Sequence, residues 1–263
     1  MPSIDLARLR VQAQELAGRI GDPSAFRTSL RSLLDGHSHR LLRRGRSMAR
    51  RSALPAWDVP GLLIREVEAA LRPAAESNPG AAMTAASVLW PSGRLEEKQL
   101  AAFLAGFSND PGGLRALLQQ WLGEAEDPAL WQDLARLTCP PLRRSNRILF
   151  RSDVRGWIAD PHPARRRFGW MALSEWAGEN TSDSLFAAFD LLPAAFLESD
   201  PEAIQAAAGV LVRLAEFAPR ETQAWLSELS SKSRQQGRKF LRTSLERLSG
   251  ETAGRLRELL REP

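Results

Sequence analysis

"DPEAIQAAAGVLVRLAEF", residues Asp200 to Phe217, decides the fold. An aspartate side chain caps the free N–H groups of a helix start. A proline just after it has its backbone angle preset and lacks a donor that would otherwise go unpaired. The residues after Pro201 are apolar at helical spacing. At about 100° per residue, Ile204, Ala208, Leu211 and Ala215 fall within about 60° of one another as a core stripe, with Arg213 on the opposite side. Val210 and Phe217 flank Arg213, so the outward face is mixed, as expected of a helix lining a groove. The stretch predicts a helix over 201–217.

The same dipeptide recurs at Asp22-Pro23, Asp110-Pro111, Asp127-Pro128 and Asp160-Pro161, each before an apolar-periodic segment. At the last of these, "PHP" disfavours helical geometry before its second proline, so the start slips to Pro163. Read this way, the chain predicts helices over 3–19, 23–35, 38–50, 60–72, 79–90, 94–107, 111–122, 127–137, 142–158, 163–178, 182–197, 201–217, 219–230, 234–248 and 251–261, and no strands. Short Pro/Gly/Asp turns join them, which predicts an all-α fold of stacked antiparallel pairs, an α-solenoid of the HEAT type. The Asp-Pro starts at 160 and 200 lie one two-helix repeat apart. The expected organisation is one solenoid domain over 1–263, with N-terminal helices in 1–78, the repeat region in 79–250 and a terminal capping helix in 251–263.

Composition sets the class. The 263 residues are 43% hydrophobic and 25% charged, enough for a sizeable core. There is no run of about 18 apolar residues and no apolar leader, so no membrane association is expected. Cys139 is the only cysteine, which excludes an intrachain disulfide and fits a reducing cytoplasm. Arginine outnumbers lysine 33 to 3 and tyrosine is absent, a skew that a GC-rich coding sequence alone would produce. Clustering is therefore better evidence than arginine content. Six arginines and no acid lie between Arg40 and Arg51, nine arginines and two aspartates between Arg136 and Arg167, and "SKSRQQGRKFLR" lies near the C-terminus. Converging on one surface, these would make a polyanion footprint.

"DPHPARRRFGWMALSEWA", residues Asp160 to Ala177, raises a specific question. Arg165, Arg166 and Arg167 stand at the positive end of the helix dipole, where acids are favoured. Either an anion docks at that end, facing free N–H groups and guanidinium forks together, or the three form a solvated charge run. Phe168, Gly169, Ala172, Leu173 and Trp176 gather on one face. Arg166 and Trp170, one turn apart, project from the other, where the guanidinium can cover the indole. The alternative for Trp170 is core packing against a neighbouring repeat.

Other chemistries have little support. His37 and His39 diverge on a helix and have only His162 and Cys139 as further soft ligands, so no metal site is expected. There is no Gly-rich phosphate loop, Gly-x-Ser-x-Gly elbow or Cys/His nucleophile pair.

Three segments, "AASVLWPSGRLEEKQLAAFLAGF", "ARRRFGWMALSEWA" and "IQAAAGVLVRLAEFAPRETQAWL", are similar in order and spacing to the HEAT-like DNA alkylation-repair family, the AlkD-like alkylpurine DNA glycosylases, over roughly Ala85 to Leu248. The resemblance implies a curved solenoid whose basic concave face grips the backbone of double-stranded DNA. It also implies hydrolysis of the N-glycosidic bond of cationic alkylated purines, helped by groove aromatics and an acid, with no metal or bound cofactor. Arg166 and Arg167 match the family's paired arginines and Arg213 the later one, and Trp170 joins them as a candidate DNA contact. The catalytic pattern departs: Val210 stands where a groove tryptophan is expected, and Ala135 stands where an acid should come after Trp131. Asp133, two residues after Trp131, is about 200° around the helix and would not share its face. Trp131 and Asp133 are thus the catalytic candidates, Asp133 with the alternative of simply solvating its helix.

Two functions are compatible with these features. One is a monomeric DNA-repair protein of the cytoplasm, nucleoid-associated when bound, with base excision left open. The other is a non-catalytic protein-binding scaffold on the same repeats.

Overall fold

The structure, a computed structural model, describes residues 5–38, 52, 54–125 and 127–261. All regular structure among them is helical, and they pack as two units, Met1–Ser145 and Asn146–Pro263. Of the helix expected over 38–50 only Ser38 is described, and His39 and the arginines from Arg40 to Arg51 lie outside the described residues. No helix among the described residues is long and apolar enough to cross a membrane.

Unit 1 contains α1 (Leu6–Ala17), α2 (Pro23–Gly36), α3 (Gly61–Ser77), α4 (Pro79–Leu89), α5 (Leu95–Ala105), α6 (Pro111–Glu124), α7 (Pro128–Leu137) and α8 (Cys139–Ser145). Neighbours pair as α1 with α3, α2 with α4, α4 with α5 and α5 with α7. The Asp-Pro starts act as expected: Asp22 accepts from the N–H groups of Ser24 and Ala25, Asp110 from Gly112 and Gly113, and Asp127 from Ala129. Buried alanines on α4 (Ala82, Ala85, Ala86) and α5 (Ala101, Ala102, Ala105) let these two axes approach closely. At the end of α5, a Cβ on Gly106 would lie 2.6 Å from the Leu137 carbonyl oxygen, so the α5 and α7 termini meet where only glycine fits.

A polar and aromatic stack runs from the interior of unit 1, where Trp90, Trp121 and Lys98 are buried, to the exposed Glu124. Trp90 lies on Trp121 with ring centroids 4.1 Å apart and planes 8° from parallel. The buried Lys98 ammonium stands 4.0 Å from the Trp90 ring centroid, and the indole donates to Glu124 at 2.8 Å. Burial lowers the Lys98 pKa, opposed by the charge of Glu124.

Unit 2 contains α9 (Arg147–Ile158), α10 (Pro163–Ala177), α11 (Ser182–Leu191), α12 (Pro201–Phe217), α13 (Pro219–Ser227), α14 (Ser231–Gln236), α15 (Arg238–Leu245) and α16 (Gly250–Arg261). Helix α10 packs on α9 and α12, and α12 on α15. Edge-on rings join α9 to α10: Phe150 meets Trp176 at 5.2 Å and Trp157 meets Phe168 at 4.9 Å. Burial of each such side chain contributes about 1.5–3 kcal/mol. Gly169 sets the closest approach, because a Cβ there would be 2.8 Å from the Ile158 nitrogen and 2.9 Å from the Trp157 Cβ.

Three expectations change in detail, and a fourth holds. The helix expected over 142–158 is two, broken where Asn146 adopts extended backbone and its side chain caps α9 by accepting from Leu149. The helix expected over 234–248 breaks at Gly237, whose missing side chain makes room for the Phe196 ring. The helix expected over 182–197 passes into a 3-10 turn at Leu192, just before Pro193. Asp160 leaves the capping position, as the second proline predicts, and accepts instead from the N–H of His162.

Candidate functional site

The cations at the start of α10 are compensated from within the protein, which corrects the alternative of a solvated charge run. Arg166 forms a two-pronged pair with Glu198 (2.9 and 3.2 Å) and donates to the carbonyls of Asp160 (3.1 Å) and Pro161 (2.9 Å). Arg167 grips Asp200 through two bonds of 2.7 and 3.0 Å and also touches Glu202. Arg165 pairs with Asp160 at 3.3 Å. The Arg166 and Arg167 side chains are only 18% and 21% exposed, and those of Glu198 and Asp200 only 6% and 14%. Hydrogen bonding to Arg167, then the cap from Ala203, holds the Asp200 carboxyl below its ordinary value against the cost of burial. Asp200 therefore caps α12 and anchors α10 at once.

Those contacts join the N-terminal ends of α10 and α12, so the two run in the same direction. Helix α15 shares that direction: Lys239 near its start donates to the Ser199 carbonyl at 3.2 Å, and Arg247 just past its end donates to the Gln205 carbonyl at 2.8 Å. Gln205, Gly209 and Arg213 share the outward face of α12. Arg213 is 42% exposed, its nearest carboxylate is Glu216 at 3.7 Å, and its guanidinium lies 6.0 Å from the Phe217 ring.

The two apolar positions differ from their expected setting. Trp170 is fully buried and does not project beside Arg166, so the guanidinium-on-indole contact does not form and the packing alternative holds. Its indole N–H is buried without a hydrogen-bond partner. Val210 is also fully buried, whereas a groove residue would be open.

In unit 1 the two catalytic candidates separate, as their angular offset predicts. Trp131 is a core residue whose indole donates to the Ala125 carbonyl at 2.9 Å. Asp133 faces a cleft of about 630 Å³, lined also by Asp58, Gln99, Gln132, Leu54 and Pro128. Its carboxylate accepts from Gln99 at 2.8 Å and from Arg136 at 3.2 Å, which fixes both oxygens. One wall of the cleft is held from beneath by buried Glu96, which accepts from the backbone N–H groups of Trp57 and Asp58 at 2.9 Å each. Burial pushes the nearby Glu68 carboxyl up, Arg136 and Arg72 oppose that rise, and the Asp133 charge adds to it. The local chemistry is thus a positioned carboxylate with amide donors beside it, flanked by cations.

Sequence reasoning missed Gln99, Glu68 and Arg247, and also the acids Glu198 and Asp200 as partners of the arginines. Only Asp200 carried a signal, as an Asp-Pro cap two residues from Glu198.

A family model described as DNA alkylation repair enzyme matches residues 57–253. No curated protein matches the chain.

Proposed function

The chain belongs to the DNA alkylation repair enzyme family, and from that premise we propose that it binds double-stranded DNA through the outward face of α12 and α15 and acts on alkylated purines at the Asp133 cleft. One observation carries the binding half of this reading. Among the arginines expected at the duplex, Arg213 is the one whose charge stays largely uncompensated, while Arg166 and Arg167 are neutralised by Glu198, Asp200 and Glu202. A phosphate oxygen can take the place of a distant Glu216 at little cost. The parallel row α10, α12, α15 is what stacked HEAT-like pairs would form, and a basic concave face is the corresponding shape.

For excision, the reading assigns Asp133 to stabilise positive charge developing on the sugar as the bond to a cationic base breaks. Gln99 and Arg136 position its oxygens, and Trp131 serves only to pack α7. No metal or cofactor enters this chemistry. The test is incubation with duplex carrying N7- or N3-alkylated purines, monitoring free base, alongside anisotropy of unmodified duplex across a salt series. Base release by the wild type and none by Asp133→Asn is expected, with affinity falling steeply as salt rises. Release unchanged in Asp133→Asn removes the acid from its role.

A protein-binding scaffold is favoured by a different surface. Ile148 and Phe186 are large, exposed apolar side chains of unit 2, and Arg151 lies over the Phe186 ring at 4.6 Å. A salt-insensitive protein complex lost in Ile148→Glu, with no duplex binding, would favour that reading.

A further inference from the structure

Gly209 is in the middle of α12, where glycine weakens a helix and alanine strengthens it. Neither conformation nor packing asks for it. Its backbone is ordinary helix, and a Cβ there would rest at 3.6 and 3.7 Å from the Arg247 guanidinium nitrogens and 3.8 Å from the Ser174 hydroxyl, all ordinary contact. The position is partly open to solvent. The groups around it are unspent. Arg247 forms no ion pair among the described residues and is steadied by a single bond to the Gln205 carbonyl, so most of its donors are free. The Ser174 hydroxyl makes no hydrogen bond among the described residues, and Arg213 comes one turn after Gly209 on the same face with only the 3.7 Å contact to Glu216.

We infer that this notch is a seat for one phosphodiester group. Gly209 supplies the floor, Arg247 from beyond α15 and Arg213 from α12 supply charge on two sides, and the Ser174 hydroxyl of α10 donates a third contact. Missing side-chain bulk lets the phosphate approach the helix backbone, and the planar guanidinium of Arg247 presents paired donors to its oxygens. The inference rests on the duplex-binding reading and places the principal anion contact near the C-terminal half of α12, away from the arginines at the start of α10.

The test measures a fluorescein-labelled unmodified duplex against wild type, Arg247→Ala, Gly209→Ala and Gly209→Leu. Arg247→Ala is expected to weaken binding about tenfold and to reduce the slope of log affinity against log salt by about one. Gly209→Leu is expected to do the same, and Gly209→Ala to bind more weakly while melting at a higher temperature, a split that a purely structural glycine would not produce. Wild-type affinity and slope in Arg247→Ala and Gly209→Leu would overturn the seat and leave duplex binding standing. A wild type that ignores duplex would overturn the duplex reading alone, so inorganic pyrophosphate is tested separately, by its protection of Arg247 from phenylglyoxal as read by mass spectrometry. Protection lost in Gly209→Leu supports the seat, and no protection with no duplex binding refutes it.

Discussion

Replacing Arg167 by alanine distinguishes an internal tie from a DNA contact. The substitution removes two hydrogen bonds to Asp200 and the contact to Glu202, at a site where Arg167 is one-fifth exposed and Asp200 less. Exposed ion pairs contribute about 0–1 kcal/mol, while breaking a buried one costs about 3–5 kcal/mol. Asp200 keeps the N–H of Ala203, so it is not left wholly unpaired. The cost should therefore fall between those limits, at about 2 kcal/mol. Urea denaturation monitored by circular dichroism should show a lower midpoint at unchanged slope. The pH dependence has a definite sign. The Asp200 carboxyl is depressed in the folded state, chiefly by Arg167, so its stabilisation is present above the unfolded carboxyl range near pH 3.9 and is lost as pH falls through the lower folded value. Wild type and Arg167→Ala should differ by a constant amount around neutrality and converge in acid. Duplex affinity should hardly change, because the guanidinium is already occupied. Unchanged stability together with a large loss of duplex affinity would refute this reasoning.

Other substitutions probe other parts of the molecule. Arg213→Ala should leave the unfolding free energy from urea denaturation within about 0.5 kcal/mol of wild type and lower the salt slope of duplex binding by about one, measured by anisotropy. Gly169→Ala should destabilise unit 2 by about 1–3 kcal/mol in denaturation, since its methyl would collide with the backbone of Ile158 and the Cβ of Trp157. Lys98→Met should be neutral or stabilising by up to about 1 kcal/mol at pH 7, because burial opposes the ammonium while a thioether keeps contact with Trp90. Since the Lys98 pKa is lowered by folding, the wild type should gain on this variant as pH rises toward the unfolded value.

The fold was legible because its punctuation is local. Asp22, Asp110, Asp127 and Asp200 each cap the helix that their dipeptide announces, and the two prolines of "PHP" displaced the fifth start as steric reasoning requires. The breaks that went unread depend on less local facts: Gly237 yields to Phe196, forty-one positions before it in the chain. Asn146 was readable as a cap but stood inside an otherwise continuous apolar pattern. The site was less legible for the same reason. Arg166 and Arg167 advertise a cationic helix start, but Glu198 and Asp200, which neutralise them, lie more than thirty residues later. Helical angles correctly separated Asp133 from Trp131, yet no pattern pairs Asp133 with Gln99 on a different helix. Trp170 shows the limit of a single-helix projection: an indole placed opposite one core face is buried by the next helix over.

The paired indoles of Trp90 and Trp121 give the first unit an optical identity. Two nearly parallel, stacked chromophores 4.1 Å apart share their excited states, and the resulting split circular dichroism band exists only while that stack is intact. In the second unit, Trp157, Trp176 and Trp225 meet phenylalanine rings instead. Loss of the split band therefore dates the melting of one half of the molecule, and bulk ellipticity tracks both.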